Sequence, residues 1–335
     1  LTDRFLPGVR PGQDIRGLAA AGDAGYVIEG SAEFNDAAYL TYNIGDDADS
    51  LTTMEFEWWG KDYQLGSSNS VFFAGDGTGN ERFSIGDIGS RNMLIRQIEA
   101  ASATMSITVT NAKYRDAASH GHWKVRIDTT QAVEANRVIV WHNDVLQTVT
   151  FTTAPAQNLE MRWGDATYSH FINRHFGSSY EANNVNLSGI AYYDGVTNAD
   201  RQYVETSNDG YAQVIDTTGA TFGAKGFLLE GGTNISAGTD TSGNSASFTK
   251  TGTITATNDS PTNGGDSLEY GNYNTFDPNS DIYDAGTFSN GNLNYVSGSA
   301  TYTFVMGTLG MMSGVWYWEV EKDAGSVESS IGVTN

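Results

Sequence analysis

The chain is 335 residues long, with 18 Lys and Arg against 40 Asp and Glu and a formal net charge of −22. That field repels phosphate backbones and anionic bilayers, so the reading carries no nucleic acid and no membrane insertion, and no apolar run nears the ~20 residues a membrane helix requires. Cysteine is absent, which fits folding in a reducing compartment even for a protein that later works outside a cell.

The 39 glycines, with plentiful Thr, Ser, Asn and Asp, predict many short strands joined by tight turns. Residues 1–30, rich in Gly and Ala, read as an N-terminal arm or linker, with a short helix over 13–21. Residues 38–43 form a first strand. Over 50–61 the alternation is strong: Met54, Phe56 and Trp58 share one face, and Thr53, Glu55, Glu57 and Trp59 the other, which is expected to be solvated. Residues 70–74 and 81–86 flank the turn-forming run GDGTGN. After MLIRQI and TMSITVTN, a half-buried strand places Trp123, Val125 and Ile127 opposite Lys124, Arg126 and Asp128. RVIVWH and VLQTVTF make a hairpin about Asn143-Asp144, residues that tolerate the left-handed backbone of such a turn. Further strands are expected in 158–176, 186–194 and 225–230, and a short helical or irregular piece over 198–205. Residues 233–265 lose periodicity and read as a Gly/Thr/Ser-rich linker. Strands resume after Leu268, ATYTFVMG and VWYWEVEK being the clearest.

The run YRDAASHGHWKVRIDTTQAVEANRVIVWHNDV resembles the strand-turn-strand signature of concanavalin A-like, laminin-G-type modules in phage structural proteins. The likeness rests on Arg115, Asp116, Trp123, Val125, Asp128, Thr129, Thr130, Gln131, Ala132, Arg137, Val138 and Asn143, with Asp144 where those modules carry a turn glycine. AEFNDAAYLTYN is similar to their opening and LSGIAYYDGVTNADRQYVE to their closing segment. NGNLNY and GVWYWEVEKDAGSVESSIGVTN resemble the beginning of an SPRY-type sandwich, cut off at Asn335 at about half its usual length. The fold expectation is therefore all-β: a concanavalin-like jelly-roll sandwich over 31–232, then a partial second β-sandwich over 266–335, with the native chain continuing further.

The resemblance implies a non-enzymatic virion protein: a tail fibre, a tail adhesin or a capsid-surface decoration at the particle surface, assembled in the host cytoplasm. Its implied partners are other virion proteins, further copies of itself (a homo-oligomer, a trimer first) and a host surface glycan. Two rival readings stay open: a purely architectural virion protein with no ligand, and a glycan-cleaving depolymerase. MEFEWWGKD is similar to the catalytic strand of lichenase-type glucanases, with Glu57 at the acid/base position and Glu55 at the helper, but Thr53 stands where the nucleophilic carboxylate belongs. Trp59, Trp141, Trp163 and Tyr168 are candidates for stacking on sugar rings, Trp59 and Trp141 being the pair expected to be exposed. Asp46, Asp47 and Asp49, and Asp76 with Glu81, offer oxygen ligands suited to Ca²⁺, the only cofactor the sequence suggests. His120, His122, His142, His170 and His175 show no zinc-site spacing and read as loop or surface residues.

Overall fold

The computed structural model describes residues 26–262, apart from 36, 63–68, 89–91, 114–119, 175–184, 197–203, 207–211, 215 and 218, together with short pieces between 275 and 320. In chain order the strands are β1 (Ser31–Phe34), β2 (Tyr39–Asn43), β3 (Thr53–Asp62), β4 (Asn69–Gly75), β5 (Arg82–Ile88) and β6 (Asn92–Glu99). Next come β7 (Ser102–Lys113), β8 (Gly121–Asp128), β9 (Val138–His142), β10 (Val145–Leu146), β11 (Val149–Thr153) and β12 (Ser169–Ile172). They are followed by β13 (Val185–Asp194), β14 (Val204–Thr206), β15 (Ala212–Val214) and β16 (Phe227–Leu229). A helix, α1 (Gly231–Ala237), precedes β17 (Ser247–Thr251) and β18 (Ile254–Thr257).

Two antiparallel sheets face each other. The front sheet runs β10-β9-β8-β3-β13-β1-β18 with β16 also on β13, and the back sheet runs β11-β7-β6-β5-β4-β12-β2-β17. The all-β sandwich read from the alternation is the observed fold. Met54, Phe56 and Trp58 of β3 point inward with Trp123, Val125 and Ile127 of β8, and meet Phe83 and Ile85 of β5, Met93 and Ile95 of β6, and Met105, Ile107 and Val109 of β7. Asn143 and Asp144 take φ of 50° and 64°, the left-handed pair expected of the β9–β10 turn.

Several expectations need correction. The tract 233–265 is not a bare linker: it supplies α1, then β17 on β2 and β18 on β1, so it closes both sheets. Periodicity missed it because β17 is an edge strand, largely exposed, and offers almost no apolar alternation. The helix is short, begins at Gly231 with φ 74°, and ends on Gly238 in the left-handed region, whose N–H bonds the carbonyls of Asn234 and Ile235. The arm also reaches into the fold: Ile28 is fully buried and its N–H donates to Thr262 Oγ1. Of the piece expected to be helical or irregular over 198–205, Val204 and Glu205 lie instead in β14, which pairs with β15, and 198–203 fall outside the described residues, as does the helix expected over 13–21.

The outer face of β3 is not solvated. Every residue of β13 is buried, on both of its faces. A second apolar layer, formed by Ile28, Trp59, Ala191, Tyr193, Val214, Phe222 and Leu228, covers the front sheet from outside. Within the region expected to begin a second sandwich, the described residues form two short pairs: Phe276–Asp277 with Met306–Gly307, and Thr287–Ser289 with Asn294–Val296. The SPRY-like strand at 315–320 lies outside the described residues, apart from an exposed Val320.

Candidate functional site

Strand direction brings the loops 44–52, 76–81, 99–101, 129–137 and 154–168 to one end of the sandwich, since β2, β4, β6, β8 and β13 end there and β3, β5, β7 and β12 start there. Most of the sequence-selected residues gather at this rim. Glu81 is central. Its carboxylate accepts Ala100 N–H (2.7 Å) and Arg162 Nε (3.0 Å), and pairs with Arg162 Nη2 at 3.0 Å. Arg162 also reaches Glu99 at 3.5 Å, and its guanidinium lies 5.3 Å from the ring centroid of half-buried Tyr168. Tyr168 Oη donates to Glu81 at 3.5 Å. The backbone N–H of Ala100, foremost, and then Arg162 hold the Glu81 carboxyl below the usual carboxylate range. Burial works against the Arg162 charge, but Glu99 and Glu81 outweigh it and raise its pKa. The result is a phenol ring braced by a fixed guanidinium and carboxylate, a combination able to stack on an apolar sugar face while hydrogen-bonding its hydroxyls.

Of the other selected residues at this end, Asp76 closes its own turn, and Asp46, Asp47 and Asp49 lie against segments distant in sequence. Asp76 closes its turn through Thr78 N–H, Thr78 Oγ1 and Gly79 N–H. The Thr78 hydroxyl is the largest influence lowering its pKa. Asp47 accepts Ala166 N–H at 2.8 Å, and Asp46, almost fully exposed, lies 3.9 Å from Lys225. The exposed Asp49 offers its N–H to Asp194. Among the described residues no three acidic or histidine side chains are grouped to hold a metal, so the two acidic loops are seen here as hydrogen-bonded turns.

The tryptophans divide differently from the expectation. Trp163 is fully buried, edge-on to Phe56 at 5.5 Å and Phe72 at 5.4 Å. Trp59 is 2% exposed within the second apolar layer, its ring 5.1 Å from that of His122. Neither can stack on a ligand: an inward loop turn carries Trp163 into the core, and the outer layer covers Trp59. Trp141 remains half-exposed on β9, with Lys124 Nζ 5.6 Å and Arg126 Cζ 5.2 Å from its ring centroid. Thus Tyr168 joins the rim, while Trp141 stands apart on the front face.

The strand that imitates a glucanase is sealed. Glu55 and Glu57 are 0% exposed, and Lys124 Nζ lies 3.1 Å from a carboxylate oxygen of each. His122 Nε2 is 3.4 Å from Glu57. Burial lowers the His122 pKa despite the pull of Glu57, and burial foremost, with Glu57 and Glu55 behind it, pushes the Tyr193 phenol up. His120 and His170 are also buried rather than on the surface, and His175 lies outside the described residues.

Two features escaped the sequence reading. Asp194, at the end of β13, accepts the N–H groups of Asp49, Ser50 and Lys225 and so pins two loops to the front sheet. The signature run around Asp128 is a clasp. Asp128 accepts from Thr130 and Gln131, Thr129 Oγ1 donates to Leu159 O, and Arg137 donates to the carbonyls of Gln131, Ala132 and Pro155. Burial would raise the Asp128 pKa, but these hydrogen bonds lower it. Arg115 and Asp116, at the start of the same run, fall outside the described residues.

No protein-family model matches the sequence, and no curated protein is significantly similar to it in sequence. Among solved structures, the native heptameric SAP-like pentraxin from Limulus polyphemus aligns at 10% identity over 52% of this chain and 80% of that one, with a TM-score of 0.35. Mouse laminin alpha1 domains LG4-5 align at 9% identity over 59% of this chain and 46% of that one, with a TM-score of 0.37. A candidate carbohydrate-binding protein from Bacteroides ovatus aligns at 12% identity over 69% of this chain and 60% of that one, with a TM-score of 0.40. The chain itself forms an antiparallel β-sandwich with a polar, aromatic loop rim.

Proposed function

We propose that this protein is a non-enzymatic contact module of a phage particle that presents its loop rim to host-surface glycans. One observation carries the binding part: the Tyr168 ring, half-exposed and fixed by Arg162 and Glu81, is a preorganised platform for a sugar ring. The virion part rests on the resemblance at Asp128–Ala132 and Arg137, whose clasp shapes the neighbouring rim loops. The test is a glycan array with the intact chain and Tyr168→Ala. Binding should fall at least tenfold in the variant while its melting temperature stays within a degree or two. Retention of every glycan by the variant would remove the rim from consideration.

A depolymerase remains the competing activity. The Lys124 clamp on the sealed Glu57 and Glu55 supports the non-enzymatic reading, because the acid/base carboxyl of a retaining hydrolase must carry a proton and reach substrate, and a second carboxylate must stand where this strand has Thr53. New reducing ends released from host polysaccharide, and lost in Glu57→Gln, would overturn it. Mass spectrometry of purified particles tests virion membership, and sedimentation equilibrium tests the homo-oligomer, with a trimer as the first expectation.

A further inference from the structure

The described cations of this acidic chain mostly sit beside oxygen. Lys61 pairs with Asp259, Lys124 with Glu55 and Glu57, Arg162 with Glu81 and Glu99, and Arg137 takes three backbone carbonyls. Arg82 on β5 and Arg96 on β6 depart from this pattern. Phe83, Ile85, Met93 and Ile95 fill the core, so by alternation Arg82, Ser84 and Arg96 face outward from the back sheet. The register sets Ser84 opposite Arg96 and Arg82 opposite Ile98, which makes the two arginines diagonal neighbours on one face. Both are half-buried, and Arg96 Nε is enclosed without an acceptor. Burial and then the Arg96 charge both depress the Arg82 pKa, with no carboxylate acting against them. Two like charges side by side, partly stripped of water, cost stability and gain nothing within the fold.

The same row continues across the sheet into packed aromatic side chains, Ser84 being 7% and Phe73 3% exposed. Ser84 lies opposite Phe73, Phe73 opposite Phe171, and Phe171 opposite Thr41. The Phe73 and Phe171 rings are 6.2 Å apart, and Arg174 lies 4.1 Å from the Phe171 centroid and 4.4 Å from that of Tyr39. Ser106, Thr108, Thr41 and Thr249 add hydroxyls by the same alternation. Among the described side chains of this sheet the one carboxylate is Glu99, which turns to Gln97 and Arg162 at the rim. For a chain of net charge −22 this is a local reversal of sign. A screening length of ~8 Å at physiological ionic strength lets such a patch act apart from the rest of the surface.

We propose that this outer face binds the carboxylates of an acidic polysaccharide, with Arg82 and Arg96 gripping the acid groups. Guanidinium forks match carboxylates in pairs of parallel hydrogen bonds, and Arg82 adjoins Glu81, so the face leads into the rim. The inference rests on the glycan-binding reading and narrows it to uronic- or sialic-acid polymers.

The test measures binding of the intact chain to polygalacturonate and to colominic acid, each beside its methyl-esterified form. Both free acids should be retained at least tenfold more tightly than their esters, and raised salt should erase the difference. Arg82→Gln/Arg96→Gln should abolish the preference, while Arg82→Lys/Arg96→Lys keeps part of it. Equal retention of acid and ester, or a preference that survives in the glutamine variant, overturns the proposal. The ester comparison needs no variant, so misfolding of the glutamine protein cannot decide the outcome. If neutral glycans bind through Tyr168 while neither acid is preferred, the glycan-binding reading stands and this inference falls. Binding to no glycan at all removes both. Self-association of the wild type that disappears in the glutamine variant, without acid preference, assigns the face to the acidic loops of a second copy and also overturns the proposal.

Discussion

Replacing Lys124 with Met should be among the most damaging single changes on the front sheet. The ammonium sits 3.1 Å from both Glu55 and Glu57, all three side chains being essentially unexposed. Methionine preserves most of the stem's volume, so what is lost is chiefly the charge. Two carboxylates are then left together under the layer formed by Trp59, Tyr193 and Phe222. Removing one partner of a buried pair typically costs about 3–5 kcal/mol. At roughly 2–4 °C per kcal/mol for a domain of this size, the melting temperature should drop by about 10 °C. Urea unfolding followed by tryptophan fluorescence, run beside calorimetry, measures both quantities. Glu57→Gln in the Lys124→Met background should recover part of the loss, since it removes one of the stranded charges. A loss below about 1 kcal/mol would mean that water reaches these groups, and the argument that the glucanase-like strand is sealed would fail with it.

Other outcomes follow from single sites. Burial depresses the His170 pKa to about 4, and its Nε2 accepts the Gly164 N–H. The folded state holds this ring neutral while the unfolded chain binds a proton below about pH 6.5, so stability should fall from that pH down to about 4, by about 3 kcal/mol in all. His170→Gln should flatten that part of the pH–stability curve. Asp194→Ala strands the N–H groups of Asp49, Ser50 and Lys225 and should cost about 3 kcal/mol or more in urea unfolding. Gly232→Ala places a Cβ 2.3 Å from Ser31 O and should open α1 away from β1, seen as faster amide exchange in both. Ala100→Asn with Ala101→Gly relieves φ of 46° and 62° in the two-residue β6–β7 turn and should stabilise by about 1 kcal/mol.

The inner face of the sandwich was plain in the sequence because its chemistry is local. Met54, Phe56 and Trp58 alternate, and alternation alone turns them inward. The outer face of the same strand misled the reading for a physical reason. Glu55, Glu57 and Trp59 look solvated until a second layer, drawn from residues as distant as Ile28 and Phe222, is laid over them. No window along β3 contains that information. Trp163 lies in a loop, where no period reports direction, and turns into the core, whereas Tyr168, five residues on, sits half-buried at the rim. The Arg82–Arg96 pair was invisible because the two side chains lie on different strands and become neighbours only once the register is known.

The closing strands have a consequence for how the molecule is made. β1 waits for β18 and β2 for β17: Ser31 and Thr257 share a side-chain hydrogen bond across 226 positions, and Asn43 and Thr249 across 206. Contacts so remote in sequence slow folding, because the chain must close a long loop before they form. On a ribosome, most of both sheets would be synthesised while β1 and β2 still present one bare edge each, the kind of edge that recruits a foreign strand. The polar, Thr-rich segment that resembled a linker thus acts as the last seam of the sandwich. A chain ending before Ser247 should aggregate where one ending after Thr262 stays dispersed, which light scattering during synthesis would follow directly.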